Sequence, residues 1–493
     1  MLEYIICNNE TIKTVRPKAD PDSEFSRFVA SVKWNKLSLA GFRENFSEAI
    51  ALIRKDNTLA KMVIANPSSD FTRNRALCFR NVVMMLIFSK ERTLEKVLSE
   101  YFDDGKSKPG RSALCQSKKK LKSNLPVMLF YLFADHLQGK KRLFKGKFRL
   151  LLCDGSDINI SRQPAGMPCN IKNRGEKEYS QVHMTVLYDY LNQIFLDLRV
   201  QGAKKKNEIG SLTDMIEDLS PRPGERYLIM GDRLFGCLPV IASCLAKNST
   251  TSFIVRAKDV TSQGLPQSIW SHIGKPKGSF DREVKLLVCR KDGGYLDKNG
   301  RYRVSVGADR IVKGLGASID SELELNLRMV RVKITDSTYE VLFTDIDKFT
   351  LSKKELKKAY AMRWTVEVSI REAKKYDGLD FLSTKDCSLS IAEIYMKLFL
   401  HNLTRFTAGL SKEAAAKAKV LAAKYSKEHK SMVIVFSYSA ILTAFRKFML
   451  FPARSSPSDY EYEIKRNVTG RKTSYSTSAR NIKAKSFVSF AYR

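Results

Sequence analysis

The chain has 493 residues, and its 43% hydrophobic and 10% aromatic content is ordinary for a folded globular protein. Its charge is unusual, because 86 Lys and Arg residues outnumber 52 Asp and Glu residues and give a net charge of +34. Such an excess indicates a polyanionic partner, most often nucleic acid. The sequence has no apolar run long enough to cross a membrane and no signal-peptide pattern, so we expect a soluble, cytoplasmic, nucleoid-associated protein.

The residues that bind soft metals are dispersed along the chain. The nine cysteines form no C-x-x-C pair, and the five histidines form no cluster with ligand spacing. This pattern predicts reduced thiols and argues against a zinc module or a disulfide scaffold. Any metal should therefore be held by carboxylates, which favour Mg²⁺ or Mn²⁺.

Residues 1–145 have mostly helical patterns. Basic and apolar residues alternate at helical spacing, for example in the run RSALCQSKKKLKSNL. Small basic helical units suit docking on DNA, and a solvated helical bundle is the alternative. We predict a helical DNA-binding region here, with the bundle left open.

Residues 146–258 change to alternating strands and helices. One apolar strand, FRLLLCD, is predicted to end at Asp154, and another, RYLIMGD, at Asp232. Between them lie two β-like runs, Val182–Tyr190 and Ile194–Val200, and a helix near Glu208–Leu219. Three strands followed by alternating helix and strand predict an α/β fold that resembles the ribonuclease H architecture.

Residues 259–350 are predicted to form an inserted all-β subdomain. From Glu322 to Ile334, apolar and polar residues alternate with period two, as in a half-buried strand. Residues 351–400 should return to the core with a helix. Residues 401–493 should form a helical C-terminal region with a basic tail, suited to dimerisation or to contact with DNA.

The most informative segment is YAMRWTVEVSIREAK, residues 360–374. Taken as a single helix at about 100° per residue, it carries a polar stripe about 60° wide that borders the apolar face. The stripe consists of Tyr360, Arg363, Glu367 and Lys374. A carboxylate with a cation on either side suits a metal bound next to a phosphate. Charge pairs on a solvated helix face are the alternative.

Three carboxylates stand out by position: Asp154 and Asp232 at predicted strand ends, and Glu367 on the late helix. Side chains at strand ends meet at one edge of a sheet, and a helix packed there can bring Glu367 beside them. Three such groups can hold two divalent cations about 3.5–4 Å apart. Asp232 could instead cap the following helix. Asp157 is the alternative to Asp154 as the metal ligand, and either residue could simply form a turn.

The stripe matches the pattern Y-x2-R-x3-E-x6-K in full. With Asp154 in a D-G-S context and Asp232 followed by Arg, the chain resembles the DDE transposases of the insertion sequence 4 family from about residue 70 to 400. Members of that family have a helical DNA-binding region, a ribonuclease H-like core, a β insertion between the second Asp and the Glu, and a helical C-terminal region. The order of parts predicted above is the same.

The resemblance implies roles for six residues and a cofactor. The implied metal ligands and catalytic residues, for Mg²⁺ with Mn²⁺ as a substitute, are Asp154, Asp232 and Glu367. The residues implied to bind the terminal phosphates of the transposon end are Tyr360, Arg363 and Lys374.

Three further residues are weaker candidates. Arg233 is either a DNA contact or the donor of a structural salt bridge. Trp364 could stack on a base or pack against the β insertion, and packing is the preferred reading. Trp270, within the insertion, is a candidate for holding a flipped base, which is implied by the resemblance alone.

The implied reaction is a series of metal-assisted phosphoryl transfers without a covalent enzyme intermediate. Water cleaves the transposon end and releases a 3′-OH, which forms a hairpin on that end and, after the hairpin is opened, joins target DNA. The implied partners are the terminal inverted repeats and target DNA as duplexes, bound by a homodimer. A non-catalytic DNA-binding derivative that inhibits transposition and a ribonuclease H-like nuclease without strand transfer remain alternatives.

Overall fold

The computed structural model describes residues 4–17, 23–89, 93–102, 108–134, 136–137, 143–172, 177–221, 224–257, 259, 278–289, 302–305, 323–336, 338–428, 432–452 and 454–472. They form a mixed α/β structure, in which helices pack on both faces of one large sheet. The predicted α/β class is therefore confirmed.

The described strands are β1 Ile5–Cys7, β2 Ile12–Thr14, β3 Phe148–Ile160, β4 Asn170–Ile171, β5 Tyr179–Asp189, β6 Ile194–Gly202, β7 Arg226–Gly231, β8 Thr251–Ala257, β9 Phe280–Cys289, β10 Tyr302–Ser305, β11 Leu323–Lys333, β12 Tyr339–Thr344, β13 Met432–Phe436 and β14 Val468–Lys472. The large sheet has the order β1-β2-β6-β5-β3-β7-β8-β12-β11-β9-β10, with β4 paired to β5. Strands β13 and β14 form a separate hairpin.

The described helices are α1 Glu24–Ser31, α2 Leu39–Lys55, α3 Asn57–Val63, α4 Phe79–Phe88, α5 Leu94–Tyr101, α6 Arg111–Lys119, α7 Asn124–Ala134, α8 Glu208–Asp218, α9 Leu238–Ala246, α10 Lys353–Ala361, α11 Trp364–Glu372, α12 Cys387–Leu410, α13 Lys412–Glu428, α14 Tyr438–Leu450 and α15 Pro457–Arg466. Helices α1 to α7 agree with the helical patterns of the N-terminal region, although β1 and β2 of the same region join the large sheet. In the described part of the chain, no helix combines the length and the apolar character needed to cross a membrane.

The centre of the sheet combines antiparallel and parallel pairing. Strands β6, β5 and β3 pair antiparallel, whereas β3, β7 and β8 pair in parallel. Parallel neighbours need a crossover connection, and helices α8 and α9 lie in the connections that lead to β7 and to β8. The element order predicted for residues 146–258 is therefore present in the structure.

The described strands of residues 278–344 extend this sheet from its β8 edge. Strand β12 pairs with β8, and β11 and β9 follow. On β11, Leu325 and Leu327 are buried and Glu324 and Asn326 are exposed, which confirms the period-two prediction at the start of the strand, whereas residues 327–332 are all buried. Arg328 departs from it, because its guanidinium is buried and pairs with Asp281 at 2.7 Å. Trp270 and residues 290–301 lie outside the described residues, and the predicted domain boundaries remain predictions.

The two faces of β3 bury different sets of side chains. Leu150 and Leu152 belong to the core under α7 and α12, whereas Leu151 and Cys153 belong to the core under α8 and α9. This alternation follows from the period of a strand, and it determines which helices each later residue of β3 faces.

Candidate active site

Asp154 lies on the face of β3 that packs toward α11. Strand β3 does not end at Asp154, as the sequence predicted, but continues to Ile160. The prediction is wrong because the long strand β5 pairs with β3 as far as Ile160, so β3 continues beyond its apolar residues. The pairing of β3 with β7, in contrast, ends at Leu152 opposite Met230. Asp154 therefore lies just beyond the end of the parallel pairing.

Asp232 directly follows the last residue of β7, as predicted. One of its oxygens accepts a hydrogen bond of 2.9 Å from the backbone N–H of Leu234, which stabilises the tight turn after the strand. Helix α9 begins only at Leu238, so Asp232 does not cap it and that alternative is wrong. The turn places Asp232 at the same edge of the sheet as Asp154.

The late helix is not single, as the sequence predicted, but consists of α10, α11 and a π-helical turn at Ala373–Asp377. Between α10 and α11, backbone bonds of the i→i−3 type run from Arg363 to Tyr360 and from Val366 to Arg363. These tighter bonds rotate the later residues relative to an ideal α-helix, and the π turn rotates them the other way. Ideal helical angles therefore do not describe the stripe.

Glu367 remains beside Arg363 in spite of the break. The Nη2 of Arg363 donates a hydrogen bond of 2.7 Å to Oε1 of Glu367, and the two side chains are 11% and 26% exposed. The Nη1 of Arg363 is buried and finds no hydrogen-bond partner among the described residues. Arg363 therefore has a donor left over for an acceptor that comes from outside the chain.

The electrostatics of Asp154 show that the three carboxylates lie near one another. The pKa of Asp154 is raised to about 7, mainly by burial and then by the charge of Glu367, with a smaller effect from Asp232, while Arg363 and the backbone N–H of Gly155 oppose the rise. Each like charge beside a carboxyl group disfavours its ionised form, and a cation favours it. The structure thus brings Asp154, Asp232 and Glu367 into one electrostatic unit with Arg363.

The carboxylates of this unit are suitable ligands for a divalent cation, but they do not form a complete metal-binding site. Carboxylate oxygens are the ligands that Mg²⁺ and Mn²⁺ prefer. Among the described residues, no group of three or more His, Cys, Asp or Glu side chains is arranged so that it could hold a metal ion. Coordination by all three carboxylates would therefore require their side chains to move closer together.

Tyr360 and Lys374 flank this unit in different ways. The hydroxyl of Tyr360 is buried without a hydrogen-bond partner among the described residues, and burial raises its pKa to about 12, with smaller effects from Arg363 and Asp232. The Nζ of Lys374 donates a hydrogen bond of 2.8 Å to the carbonyl of Asp157 on β3. Burial lowers the pKa of Lys374. Tyr360 is therefore within electrostatic reach of Arg363 and Asp232, and Lys374 contacts β3 three residues beyond Asp154.

Arg233 and Trp364 lie on the surface. Arg233 is exposed, and no salt bridge of its guanidinium is found among the described residues, which leaves contact with DNA as its open interpretation. Trp364 is 58% exposed at the start of α11. Most of the β insertion lies outside the described residues, so packing of Trp364 against it stays a prediction, with stacking on a base as the alternative.

A second polar cluster lies on the opposite face of β3 and was missed by the sequence analysis. The Nδ1 of His183 lies 2.5 Å from Oδ1 of Asp157, and its Nε2 lies 3.3 Å from Oε1 of Glu208. Gly155 leaves the space for this contact, because a Cβ there would lie 2.5 Å from Glu208 and 2.6 Å from His183. Only the D-G-S context hinted at it, since glycine in a strand often marks a close approach.

Comparison with known proteins gives a family match and remote likenesses to solved structures. A cryo-EM structure of a piggyBac transposase synaptic complex with hairpin DNA has 11% identity and a TM-score of 0.39, over 78% of this chain and 74% of that chain. This likeness is too weak to support a statement about the present chain. No curated protein matches the sequence. Residues 145–403, more than half of the chain, match the family model described as transposase DDE domain. The chain belongs to the family of proteins with a transposase DDE domain.

Proposed function

We propose that this protein is a DNA transposase that cleaves the ends of its own insertion sequence and joins the resulting 3′-OH ends to target DNA. The observation that carries the proposal is that Glu367 pairs with Arg363 and that the charges of Glu367, Arg363 and Asp232 all act on Asp154. Membership of the DDE family supports it, because the family match covers all three carboxylates.

Asp154, Asp232 and Glu367 would hold two divalent cations, Mg²⁺ with Mn²⁺ as a substitute. When bound, the cations would supply the positive charge that activates water and stabilises the attacking and leaving oxygens. The like charges that now raise the pKa of Asp154 would then be neutralised, which favours its ionised, coordinating form. Arg363 would exchange its bond to Glu367 for a bond to DNA.

Tyr360, Arg363 and Lys374 would bind the terminal phosphates of the transposon end. Arg363 and Tyr360 support this role by their unsatisfied buried donors, since such groups are costly without an acceptor. Arg363 is suited to a phosphate because its planar guanidinium can donate two parallel hydrogen bonds. Lys374 would act as a point charge, and Arg233 would contact the DNA at the exposed rim.

The finer features of the proposal follow the order of parts in the chain. Residues 146–258 and 351–400 would form a ribonuclease H-like core of the insertion sequence 4 type, interrupted by the β insertion at 259–350. Residues 1–145 would bind the terminal repeats, and the C-terminal region would support a homodimer on DNA. The reaction would be cut-and-paste with a hairpin on the transposon end. The net charge of +34 supports a DNA partner.

The experiment is cleavage of a duplex that carries the native element end, with Mg²⁺ or Mn²⁺. We expect the wild type to cut at the end and Glu367→Gln to bind the duplex without cutting it. Glu413→Gln is the matched control, because Glu413 makes an exposed salt bridge far along the chain from the three carboxylates. Equal cutting by wild type and Glu367→Gln would refute the assignment of Glu367. Binding without cutting by the wild type would favour a non-catalytic derivative.

A further inference from the structure

The π turn that follows α11 carries a buried carboxylate. Asp377 is the last residue of the turn, and its side chain is fully buried. The Nδ1 of His401 on α12 lies 2.9 Å from Oδ2 of Asp377, and the hydroxyl of Tyr438 on α14 donates a hydrogen bond of 2.7 Å to Oδ1. The two oxygens of Asp377 are thus each bonded to a different helix.

These two bonds fix the position of Asp377 relative to the core. A buried carboxylate is costly unless its oxygens are hydrogen-bonded, so Asp377 is held where both partners can reach it. The partners are themselves packed: His401 is fully buried, and its ring centre lies 4.7 Å from that of Tyr438 and 5.1 Å from that of Phe195 on β6. The carboxylate therefore joins the π turn to two helices that are seated against the sheet.

Further contacts from α12 hold the same end of the helical segment. Arg405 forms a salt bridge with Glu372, the last residue of α11, and its guanidinium lies over the ring of Tyr438 with Cζ 4.6 Å from the ring centre. The Nζ of Lys397 donates a hydrogen bond of 3.2 Å to the backbone carbonyl of Asp377. The end of the segment is thus fastened to α12 at three places and to α14 at one.

The π turn also carries Lys374, three residues before Asp377. The Nζ of Lys374 donates a hydrogen bond of 2.8 Å to the carbonyl of Asp157 on β3, and α11 with Glu367 directly precedes the turn. A π turn holds an extra residue compared with an α-helix, which rotates the residues within it relative to those before it. The direction of Lys374 toward β3 therefore depends on how Asp377, at the end of the turn, is held.

We propose that Tyr438, acting through Asp377, is a positioning residue for Lys374 and Glu367, so that the C-terminal region takes part in assembling the active site. Tyr438 lies outside residues 145–403, which match the DDE domain. It is 4% exposed, so it acts through Asp377 and not by touching DNA or a metal. The inference rests on the proposed function, because that function gives Lys374 and Glu367 their roles.

The test compares Tyr438→Phe with the matched control Tyr460→Phe in the full-length protein. Tyr460 on α15 is also buried, and its hydroxyl is paired at 3.0 Å with that of Thr407 on α12 instead of with the π turn. Each variant keeps its aromatic ring and loses one buried hydroxyl that joins the C-terminal region to the core.

Tyr438→Phe should slow single-turnover cleavage of the transposon end, at saturating Mg²⁺ and DNA, by about 10-fold, because the reacting groups are displaced. Its affinity for the duplex should change little, since binding is spread over many phosphate contacts. Tyr460→Phe should cleave at the wild-type rate. A loss of rate without a loss of affinity distinguishes positioning from general destabilisation, which both variants share.

Hydrogen exchange provides a second readout that does not depend on cleavage. Backbone N–H groups just after the π turn donate to carbonyls within it, so peptides that cover residues 373–382 report on the turn. They should lose protection in Tyr438→Phe and keep it in Tyr460→Phe. Asp377→Asn, which replaces one acceptor oxygen by a donor without changing the shape of the side chain, should show the same loss of protection and of cleavage rate as Tyr438→Phe.

The outcomes separate the positioning role from the proposed function. Unchanged protection of residues 373–382 in both Tyr438→Phe and Asp377→Asn would overturn the proposal. Wild-type cleavage by Tyr438→Phe, or equal slowing in Tyr438→Phe and Tyr460→Phe, would overturn it as well. Failure of the wild type to cut would instead refute the proposed function, and the exchange comparison would still decide whether Tyr438 holds the turn.

Discussion

Arg363 and Glu367 lie one helical turn apart and are joined by a hydrogen bond of 2.7 Å from Nη2 to Oε1, although the helix is broken just before Arg363. The bond makes the guanidinium the counter-charge of a carboxylate that also acts on Asp154. In the proposed reaction the same guanidinium would bind a phosphate. The pair therefore links the metal site to the DNA-binding stripe.

Arg363→Gln should reduce cleavage of the transposon end by about 100-fold, the loss typical of removing one electrostatic donor from an active site. The effect should be seen in single-turnover cleavage at saturating Mg²⁺. Arg371→Gln, on the exposed side of the same helix, is the control and should cleave normally. Equal losses in both variants would mean that overall charge, not the position of Arg363, supports the reaction.

The stability of the metal-free protein should depend on the ionisation of Asp154. Its pKa is raised from 3.8 to about 7 in the folded state, so the folded protein binds this proton more tightly than the unfolded chain. The free energy of unfolding should then fall as the pH rises from about 4 to 7. The full penalty is present above pH 7, is absent below pH 4, and amounts to at most about 4 kcal/mol.

Asp154→Asn removes this penalty, so it should be more stable than wild type at pH 8 and similar to wild type at pH 4. Urea unfolding in EDTA at the two pH values measures the difference. A constant difference between the proteins at both pH values would show that Asp154 does not titrate in this range.

Tyr360→Phe should separate stability from DNA binding. The buried hydroxyl of Tyr360 has no partner among the described residues, so its removal should leave the free energy of unfolding unchanged or raise it by about 1 kcal/mol. Affinity for the transposon end should fall about 10-fold if the hydroxyl donates to a phosphate.

Tyr395→Phe is the contrasting control, because its hydroxyl bonds Thr14 at 2.9 Å and the carbonyl of Leu198 at 2.8 Å. This variant should lose about 1–3 kcal/mol of stability. Unaltered affinity for DNA in Tyr360→Phe would remove Tyr360 from the phosphate-binding set.

Gly155→Ala should destabilise the protein by about 1–3 kcal/mol, because the new methyl group would collide with His183 and Glu208. His183 cannot easily retreat, since it is 3% exposed and bonded to Asp157. Gly409→Ala is the control: its site in the last turn of α12 is open, so the added methyl group meets no atom and should not destabilise the protein. An unaltered midpoint of urea unfolding for Gly155→Ala would show that the second polar cluster is loose.

The S-x-x-E pattern at Ser352–Glu355 and the glycine at position 378 are local signals in the sequence for the start and the end of the late helical segment. The Ser352–Glu355 capping box forms with both of its bonds, and Gly378 ends the π turn with a φ of 84°. Asp232 follows its strand as expected, because Gly231 closes the apolar run. These features depend only on residues close to them in the sequence, so they can be predicted from one sequence.

Features set by distant partners could not be predicted. Strand β3 continues past Asp154 because β5 pairs with it. The helix breaks before Arg363 because the backbone there forms i→i−3 hydrogen bonds instead of i→i−4 bonds, and the spacing of apolar residues does not show this change. The contact of His183 with Asp157 joins residues on two strands. The length of β3 and the contact of His183 depend on residues that are distant in the sequence and meet only in the folded protein.

Binding of Mn²⁺ to the DNA-free protein, followed by electron paramagnetic resonance, tests most directly whether the three carboxylates act as one metal site. The account predicts saturable binding by the wild type and by Glu413→Gln. Binding should be weakened at least about 10-fold in Asp154→Asn, Asp232→Asn and Glu367→Gln, since each removes a charged ligand. Unchanged Mn²⁺ affinity in all three variants would contradict the account.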